Sequence, residues 1–434
     1  MSPMLIGLLG IAGLLLLIFV LRIPVGFALA MTGFLGFWAV VNLKAALGML
    51  GDESWEVLSS YGLTVIPLFV LMGQVCFHCG VNQRMYQAAR AWLGQLKGGV
   101  AMATILACAG FAAICGSNTA TAATMSSVAL PEMRRYGYHR IFSSGVVASG
   151  STLGVMLPPS VVLIIIGLQT GQSIAVLFWA ALLPALLLAL LFLASIWIFC
   201  SLRPDLAPAG EACSWKQRFF ALRGVLEVLL LFGLVMTGLL LGVFTPSEAG
   251  AAGAFLSLLL CLAGGNLSWS RLLAAFDDTL RISCMIMVIV LGAVLFGRFL
   301  AVTRLPYEAA QIVADLPLPP VLIMTGVFVI YLLGGAIMDA LALLVITIPI
   351  FFPLAQSLGY DPVWFGVWVT LVTTMGAVTP PVGINTFIVA SMDPESNLKQ
   401  VFKGVGLFLP AFVLCVCLLL LWPGLALWLP GFMQ

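Results

Sequence analysis

Three short stretches set small oxygen-bearing side chains in apolar surroundings: Gly116-Ser117-Asn118-Thr119, the run from Gly334 to Asp339, and Gly376-Ala-Val-Thr379-Pro-Pro-Val-Gly-Ile-Asn385. Neutral hydroxyl and amide oxygens suit a weakly held monovalent cation. Ser117 and Asn118 could equally cap a helix, with small-residue packing around them. Asp339 is a carboxylate among apolar residues. There it costs several kcal/mol unless paired or hydrated, so it marks a functional group or a helix cap. Thr152, Thr373 and Thr374 precede two proline pairs and could add oxygens. Arg298 and Arg304 could meet a carboxylate through paired N–H groups, or simply snorkel to an interface. Glu248 in Thr-Pro-Ser-Glu matches a helix-start cap.

These residues need an element that stops a helix inside an apolar segment. Pro380 and Pro381 remove two backbone donors, and the second proline drives the first out of the helical region. Freed carbonyls at membrane depth are tolerated only where protein buries them or a wet cavity meets them. The same break recurs as Gly154-Val-Met-Leu-Pro158-Pro159-Ser160, at an offset of 222 residues. Gly137-Tyr138 and Pro131 recur as Gly359-Tyr360 and Pro353 at that offset. This ordered set predicts an internal duplication with a broken helix in each half.

The 434 residues are 62% hydrophobic and 8% charged, against about 25% charged for a soluble domain. Lipid must cover most of this surface. The net charge of +2 gives no basis for nucleic-acid binding, and two histidines exclude an all-histidine metal site. Met4–Leu21 lacks a basic start and a small-residue cleavage site, so it reads as a permanent span. Nine further spans are predicted near 25–41, 60–79, 141–168, 174–200, 224–243, 247–263, 282–300, 363–392 and 405–429. The regions 98–133 and 319–355 are too long for one crossing and have polar or small residues at mid-length. Each reads as a re-entrant hairpin.

Lys and Arg cluster on one side of this layout if both termini lie outside. Arg84, Arg90, Arg134, Arg140, Arg218, Arg223, Arg271 and Lys399 fall inside, whereas the outer loop 43–59 sets Lys44 against Asp52, Glu53 and Glu56. Arg304 is an outer exception. Five spans separate the hairpins, and an odd number inverts the second copy, as in many secondary transporters. The predicted fold is an all-α polytopic membrane protein, an inverted repeat with two re-entrant hairpins and two broken helices. Residues 1–97 form an N-terminal scaffold and arm, and 98–200 the first repeat core. Residues 201–318 supply a linker (with Pro204, Pro208 and Gly210) and scaffold spans, and 319–434 the second core. Enzyme signatures are absent: no GxSxG, no HExxH, no Walker sequence. Asp277-Asp278 reads as a solvated helix face, and Cys76-Phe-His-Cys79 as buried packing residues.

At this point the residues resemble a family. IPLFVLMGQ, GSNTATAATMSSVALPEMRRYGY, GSTLGVMLPPS, FTPSEAGA, MDALALLVITIPIFFPLAQSLGYDP, FGVWVT and MGAVTPPVGIN are similar to the large, DctM-like membrane subunit of TRAP (tripartite ATP-independent periplasmic) transporters. The tip Ser117-Asn118-Thr119 departs from the commoner small-residue tip and resembles that of sodium/dicarboxylate carriers. The resemblance implies a bacterial inner-membrane protein with an elevator-type transport domain, related in fold to the ion transporter superfamily. It implies sodium as the coupling ion and no other cofactor. It also implies two partners, a small four-helix membrane subunit and a periplasmic binding protein that delivers an organic acid. The expected ion site then comprises Gly116, Ser117, Asn118, Thr119, Thr152, Gly154 and Pro158 in one half, and Gly334, Asp339, Thr374, Gly376, Thr379 and Asn385 in the other. The substrate is expected beside Asn118, Ser160, Asp339 and Thr379, with Arg298 or Arg304. Rival readings are a carrier that needs no binding protein, an ion channel and, more distantly, a membrane enzyme.

Overall fold

The computed structural model describes residues 3–208, 214–314, 318–393 and 395–433, without the side chains of Pro204, Arg223, Ala309, Ala310, Ile312, Val313 and Ala314. Gly210 of the expected linker and the Arg223 side chain of the charge tally lie outside the described residues. In chain order the helices are α1 (Pro3–Phe19), α2 (Val25–Val40), α3 (Leu43–Leu58), α4 (Val65–His78), α5 (Val81–Leu93), α6 (Gly99–Cys115), α7 (Asn118–Arg135), α8 (Arg140–Ser151), α9 (Leu153–Met156), α10 (Val161–Thr170) and α11 (Ile174–Leu202). There follow α12 (Trp215–Leu240), α13 (Pro246–Ala263), α14 (Trp269–Thr303), α15 (Leu305–Ala314), α16 (Pro320–Ile337), α17 (Ala340–Ser357), α18 (Pro362–Gly376), α19 (Ile384–Met392), α20 (Leu398–Val405), α21 (Leu409–Leu421) and α22 (Gly424–Leu427).

Caps written in the sequence start many of these helices. Thr245 and Glu248 form a reciprocal capping box at α13, and Ser214 with Gln217 does so at α12. Glu248 therefore has the structural role that its motif suggests. Asp361 accepts hydrogen bonds from the backbone N–H groups of Val363 and Trp364 at the start of α18.

Among the described residues, eight helices are long and apolar enough to cross a membrane, or nine if the bent pair α20–α21 counts as one. The ten predicted spans each have a helical counterpart, but α1, α2 and α18 are short, at 17, 16 and 15 residues. The chain is an all-α polytopic membrane protein. Two expectations need correction. The stretch 43–59 is not a loop: Asn42 caps α3 by accepting from the Ala45 N–H at 2.8 Å. Likewise α14 runs through the expected inner loop to Trp269, 35 residues in all, because Ser268 supplies a cap and Asp277 an i,i+4 partner for Arg281 at 2.8 Å.

One group of helices packs α14 against α2 and α4, and α4 against α13. A second group contains the hairpins α6–α7 and α16–α17 with the broken helices α8–α10 and α18–α19. Burial separates them sharply. Every residue from Phe142 to Gly167, and from Trp364 to Thr379, is buried, whereas α1, α12 and α14 present leucines outward. The first broken helix is thus enclosed by protein on all sides up to Gly167, and the second up to Thr379, where irregular backbone is tolerated.

Candidate ion and substrate site

The first hairpin turns where Gly116 takes φ +61, a conformation that suits glycine. Ser117 then caps α7, its Oγ accepting from the Ala120 N–H at 3.4 Å and lying 3.1 Å from the Thr119 Oγ1. This tip meets the break between α9 and α10 directly. A Cβ on Gly116 would lie 2.7 Å from the Pro159 carbonyl oxygen, and one on Gly154 would lie 2.5 Å from that of Ser117. The peptide between Pro158 and Pro159 is cis. The carbonyls of Leu157, Pro158 and Pro159 accept no hydrogen bond from the described residues, while Ser160 caps α10 through the Leu163 N–H.

The second half repeats the arrangement. Asp339 caps α17 at the position 222 beyond Ser117, its Oδ2 accepting from the Leu341 N–H at 3.1 Å. Gly335 and Gly376 press α16 onto α18: a Cβ on Gly376 would meet the Leu332 oxygen at 2.6 Å and the Gly335 Cα at 2.8 Å. Gly334 sits on the neighbouring face, over Leu343. The Pro380–Pro381 bond is cis, like its counterpart. The Ala336 carbonyl accepts from both Val382 N–H and Gly383 N–H, at 3.2 and 2.8 Å, so hairpin and break are fastened together. Thr379 turns inward, its Oγ1 donating to the Gly376 oxygen at 3.0 Å. Unlike the first break, this one is open at Pro380, Pro381 and Val382.

Several buried polar atoms here have no partner. Asn118 is 5% exposed, yet neither its Nδ2 nor its Oδ1 makes a hydrogen bond. The Oγ of Ser149, the Oγ1 of Thr373 and the Oδ1 of Asn385 are also unpartnered. An orphaned buried polar group costs about 1–3 kcal/mol. Buried polar groups in proteins are ordinarily hydrogen-bonded, so these atoms stand out as ones that could contact a bound group. By contrast Thr152 and Thr374 are already engaged, donating to the Ser149 and Leu371 carbonyls at 2.6 and 2.8 Å. Asn385 crosses between halves, its Nδ2 donating to Ser151 Oγ at 3.0 Å. Ser149 and Ser151 were not anticipated; they sit one turn ahead of the first break, the same signal that singled out Thr152.

A cavity of about 880 Å³ opens over both tips. Gly116–Ala120 and Asp339–Ala342 form one side, with the start of α10 and Ile384; Pro24–Phe27, Val70, Gln74 and the 282–289 face of α14 form the other. Its walls are mostly apolar, with polar groups converging at the tips. Gln74, the one amide in an apolar helix, was legible but overlooked. The structure thus brings Ser117, Asn118, Thr119 and Asp339 to one cavity, with Gly154, Pro158, Ser160, Gly376, Thr379 and Asn385 packed behind them.

Arg298 and Arg304 are not brought there. They lie about 13 Å and 22 Å further along α14 than Ile289, at a rise of about 1.5 Å per residue. Arg298 Nε donates to Glu53 Oε1 at 2.6 Å, and Arg304 ends α14 at φ +55, exposed. Sequence alone could not show that Glu53, in an expected loop, is carried to Arg298 by α3. Arg298→Ala should therefore lower stability by about 1–3 kcal/mol, since Glu53 keeps only 11% side-chain exposure and loses its partner. Thermal unfolding of the purified chain measures this, and ligand response should stay as in the wild type. Cys76 and Cys79 are buried free thiols at the end of α4, and among the described residues no three His, Cys, Asp or Glu side chains gather as metal ligands.

The chain has clear relatives. It is 34% identical over 344 residues to the C4-dicarboxylate TRAP transporter large permease protein DctM of Pseudomonas aeruginosa, covering 79% of this chain and 80% of that one. It is 32% identical over 411 residues to the isethionate TRAP transporter permease protein DctMQ of Oleidesulfovibrio alaskensis, covering 93% of this chain and 63% of that one. The fold is shared with the YdaH transporter of Alcanivorax borkumensis, at a TM-score of 0.62 and 15% identity, over 89% of this chain and 90% of the other. Residues 12–425 match the family model described as tripartite ATP-independent periplasmic transporter, DctM component; with this match and these relatives, the chain belongs to the DctM family of TRAP transporter large membrane subunits.

Proposed function

We propose that this protein is the membrane-embedded large subunit of a sodium-coupled importer of an organic acid, working in the inner membrane with both termini outside. Its partners in this reading are a small four-helix membrane subunit and a periplasmic binding protein. The observation that carries the reading is the unpartnered amide of buried Asn118, at a tip that touches a broken helix and borders the large cavity. Amide, hydroxyl and free carbonyl oxygens are the ligand set a hard monovalent cation prefers, and their neutrality keeps binding weak enough for release. The second tip, Asp339 with Thr379 and Asn385, offers a related set. The hairpins are re-entrant and the halves inverted in this proposal, so the two tips approach from opposite sides.

The substrate carboxylate sits between the tips, near Asn118, Ser160 and Thr379. The starts of α10 and α19 point their positive dipole ends toward it. A sodium ion beside Asp339 offsets that carboxylate's repulsion of the substrate. Hairpins and broken helices then move as one body past the wall formed by α2, α4 and α14. The relatives' names, one for a C4-dicarboxylate and one for isethionate, support an anionic organic substrate.

Sodium binding can be tested without knowing the substrate. A ligand at tenfold its dissociation constant stabilises the folded state by about 1.4 kcal/mol. Sodium chloride is expected to raise the melting temperature of the purified chain by a few degrees over choline chloride at equal ionic strength. Equal melting temperatures across sodium concentrations up to 0.5 M would sink the coupling proposal.

A further inference from the structure

A second cavity, of about 580 Å³, follows the first along the same helices. On α4 the wall passes from Gln74 to His78, and on α7 from Ala120 to Thr124, one turn in each case. On α14 it passes from Ile282 to Arg271, and on α19 from Ile384 to Met392, offsets of about 16 Å and 12 Å. The second cavity lies toward the basic ends of these helices.

Its chemistry differs from that of the first. Arg84, Arg271 and His78 line it, with amides and hydroxyls between them, and among the described residues no Asp or Glu does. Two of these side chains already have carboxylate partners: Glu227 accepts from Arg84 Nη2 at 2.6 Å, and Asp278 lies 2.8 Å from His78 Nε2. Arg271 has no carboxylate partner among the described residues; its Nη1 donates to the Asn266 carbonyl at 2.6 Å. Two buried atoms are orphaned, the Arg84 Nε–H and the Oδ1 of Asn82, which is 5% exposed. The Arg271 guanidinium is the charge on this wall left without a carboxylate partner among the described residues, and it favours an anion over a cation there.

We infer that this cavity is an inner-side station for the transported organic anion. Its carboxylate or similar oxyanion is held by Arg271, after leaving the first cavity and before release. The assignment as a station rests on the transport reading above; the assignment as an anion site rests on the wall alone. Because α4 and α14 line it on one side and α7 and α19 on the other, relative movement of the two groups would open or close it.

The test uses the full chain with Ser127→Cys as reporter, since Ser127 is exposed on this wall. Cys79, Cys115, Cys213, Cys284 and Cys417 are replaced beforehand to remove competing thiols. Modification rates with an anionic and a cationic methanethiosulfonate reagent are each normalised to a free thiol. The anionic reagent should be preferred by at least about tenfold, and Arg271→Gln should cut that preference at least about fivefold. Gln87→Cys, on the facing α5 wall, gives an independent reporter should the first variant misfold. In proteoliposomes holding the complete transporter, Arg271→Gln should also lower the maximal uptake rate several-fold without changing the sodium concentration for half-maximal uptake. Equal normalised rates for the two reagents would overturn the anion site. A preference that Arg271→Gln abolishes, with maximal uptake unchanged, would overturn its role as a station. Sodium-independent uptake with both Arg271 effects intact would overturn the coupling and leave the station standing.

Discussion

Asn118→Ala is expected to abolish the sodium-induced rise in melting temperature and to lower sodium-dependent uptake by at least about 100-fold. The reasoning starts from the two orphaned atoms of that side chain. If a cation and its substrate satisfy them, truncation removes a ligand that no neighbour replaces, since Ser117 Oγ and Thr119 Oγ1 already face each other at 3.1 Å. The same truncation should raise stability in sodium-free buffer, because it deletes two buried polar atoms that each cost about 1–3 kcal/mol when unpartnered. An ordinary packing or capping role predicts the opposite sign. Thermal melts in choline and sodium chloride, on wild type and variant, read both effects. A variant destabilised equally in both salts would return Asn118 to a structural role.

The second large effect concerns the glycines where tip and break touch. Gly154→Ala puts a methyl group 2.5 Å from the Ser117 carbonyl oxygen, 2.7 Å from its carbon and 2.8 Å from Thr121 Oγ1. Those are mostly backbone atoms of a capped helix start, which cannot swing aside as a flexible side chain would. Gly376→Ala does the same in the other half, 2.6 Å from the Leu332 oxygen. Overpacking of this kind costs about 1–3 kcal/mol, and a displacement near 1 Å at a positioned site can cost about 100-fold in rate. Both variants should fold, with helical circular dichroism unchanged, and should lose most uptake. Gly297→Ala is the control, for a Cβ there meets nothing within 4 Å. It should transport normally and melt slightly higher, by up to about 1 kcal/mol of added helix stability. Uptake by Gly154→Ala at the control's rate would show that close contact between tip and break is not needed.

The duplicated plan was legible because its landmarks are residues with strong local rules. Proline pairs break a helix wherever they fall, Ser117, Asp339 and Asp361 start one, and glycine takes the turns at Gly116, Gly137 and Gly359. Such rules act within a few residues, so they can be read along the chain, and the offset of 222 shows itself as their repetition. The structure keeps this register at the cis Pro-Pro bonds and at the caps Ser117 and Asp339.

What the chain order could not reveal was which apolar surface meets which. Phe142–Gly167 and Met4–Phe19 are both long, mainly apolar segments, yet the first is wholly enclosed and the second largely faces outward. Leucine reads alike against lipid and against protein, because neither environment offers its side chain a polar partner. For the same reason the α14 wall of the cavity, Ile282–Ile289, carries no signature of its own. Charged residues fared likewise: Arg298 was a plausible substrate contact until α3 delivered Glu53 to it. The sequence by itself thus determined where helices break, turn and begin. Tertiary packing alone decided which polar atoms remain without a partner, since a side chain is left unpaired only by what long-range neighbours fail to supply, as at Asn118, Thr373 and Asn385.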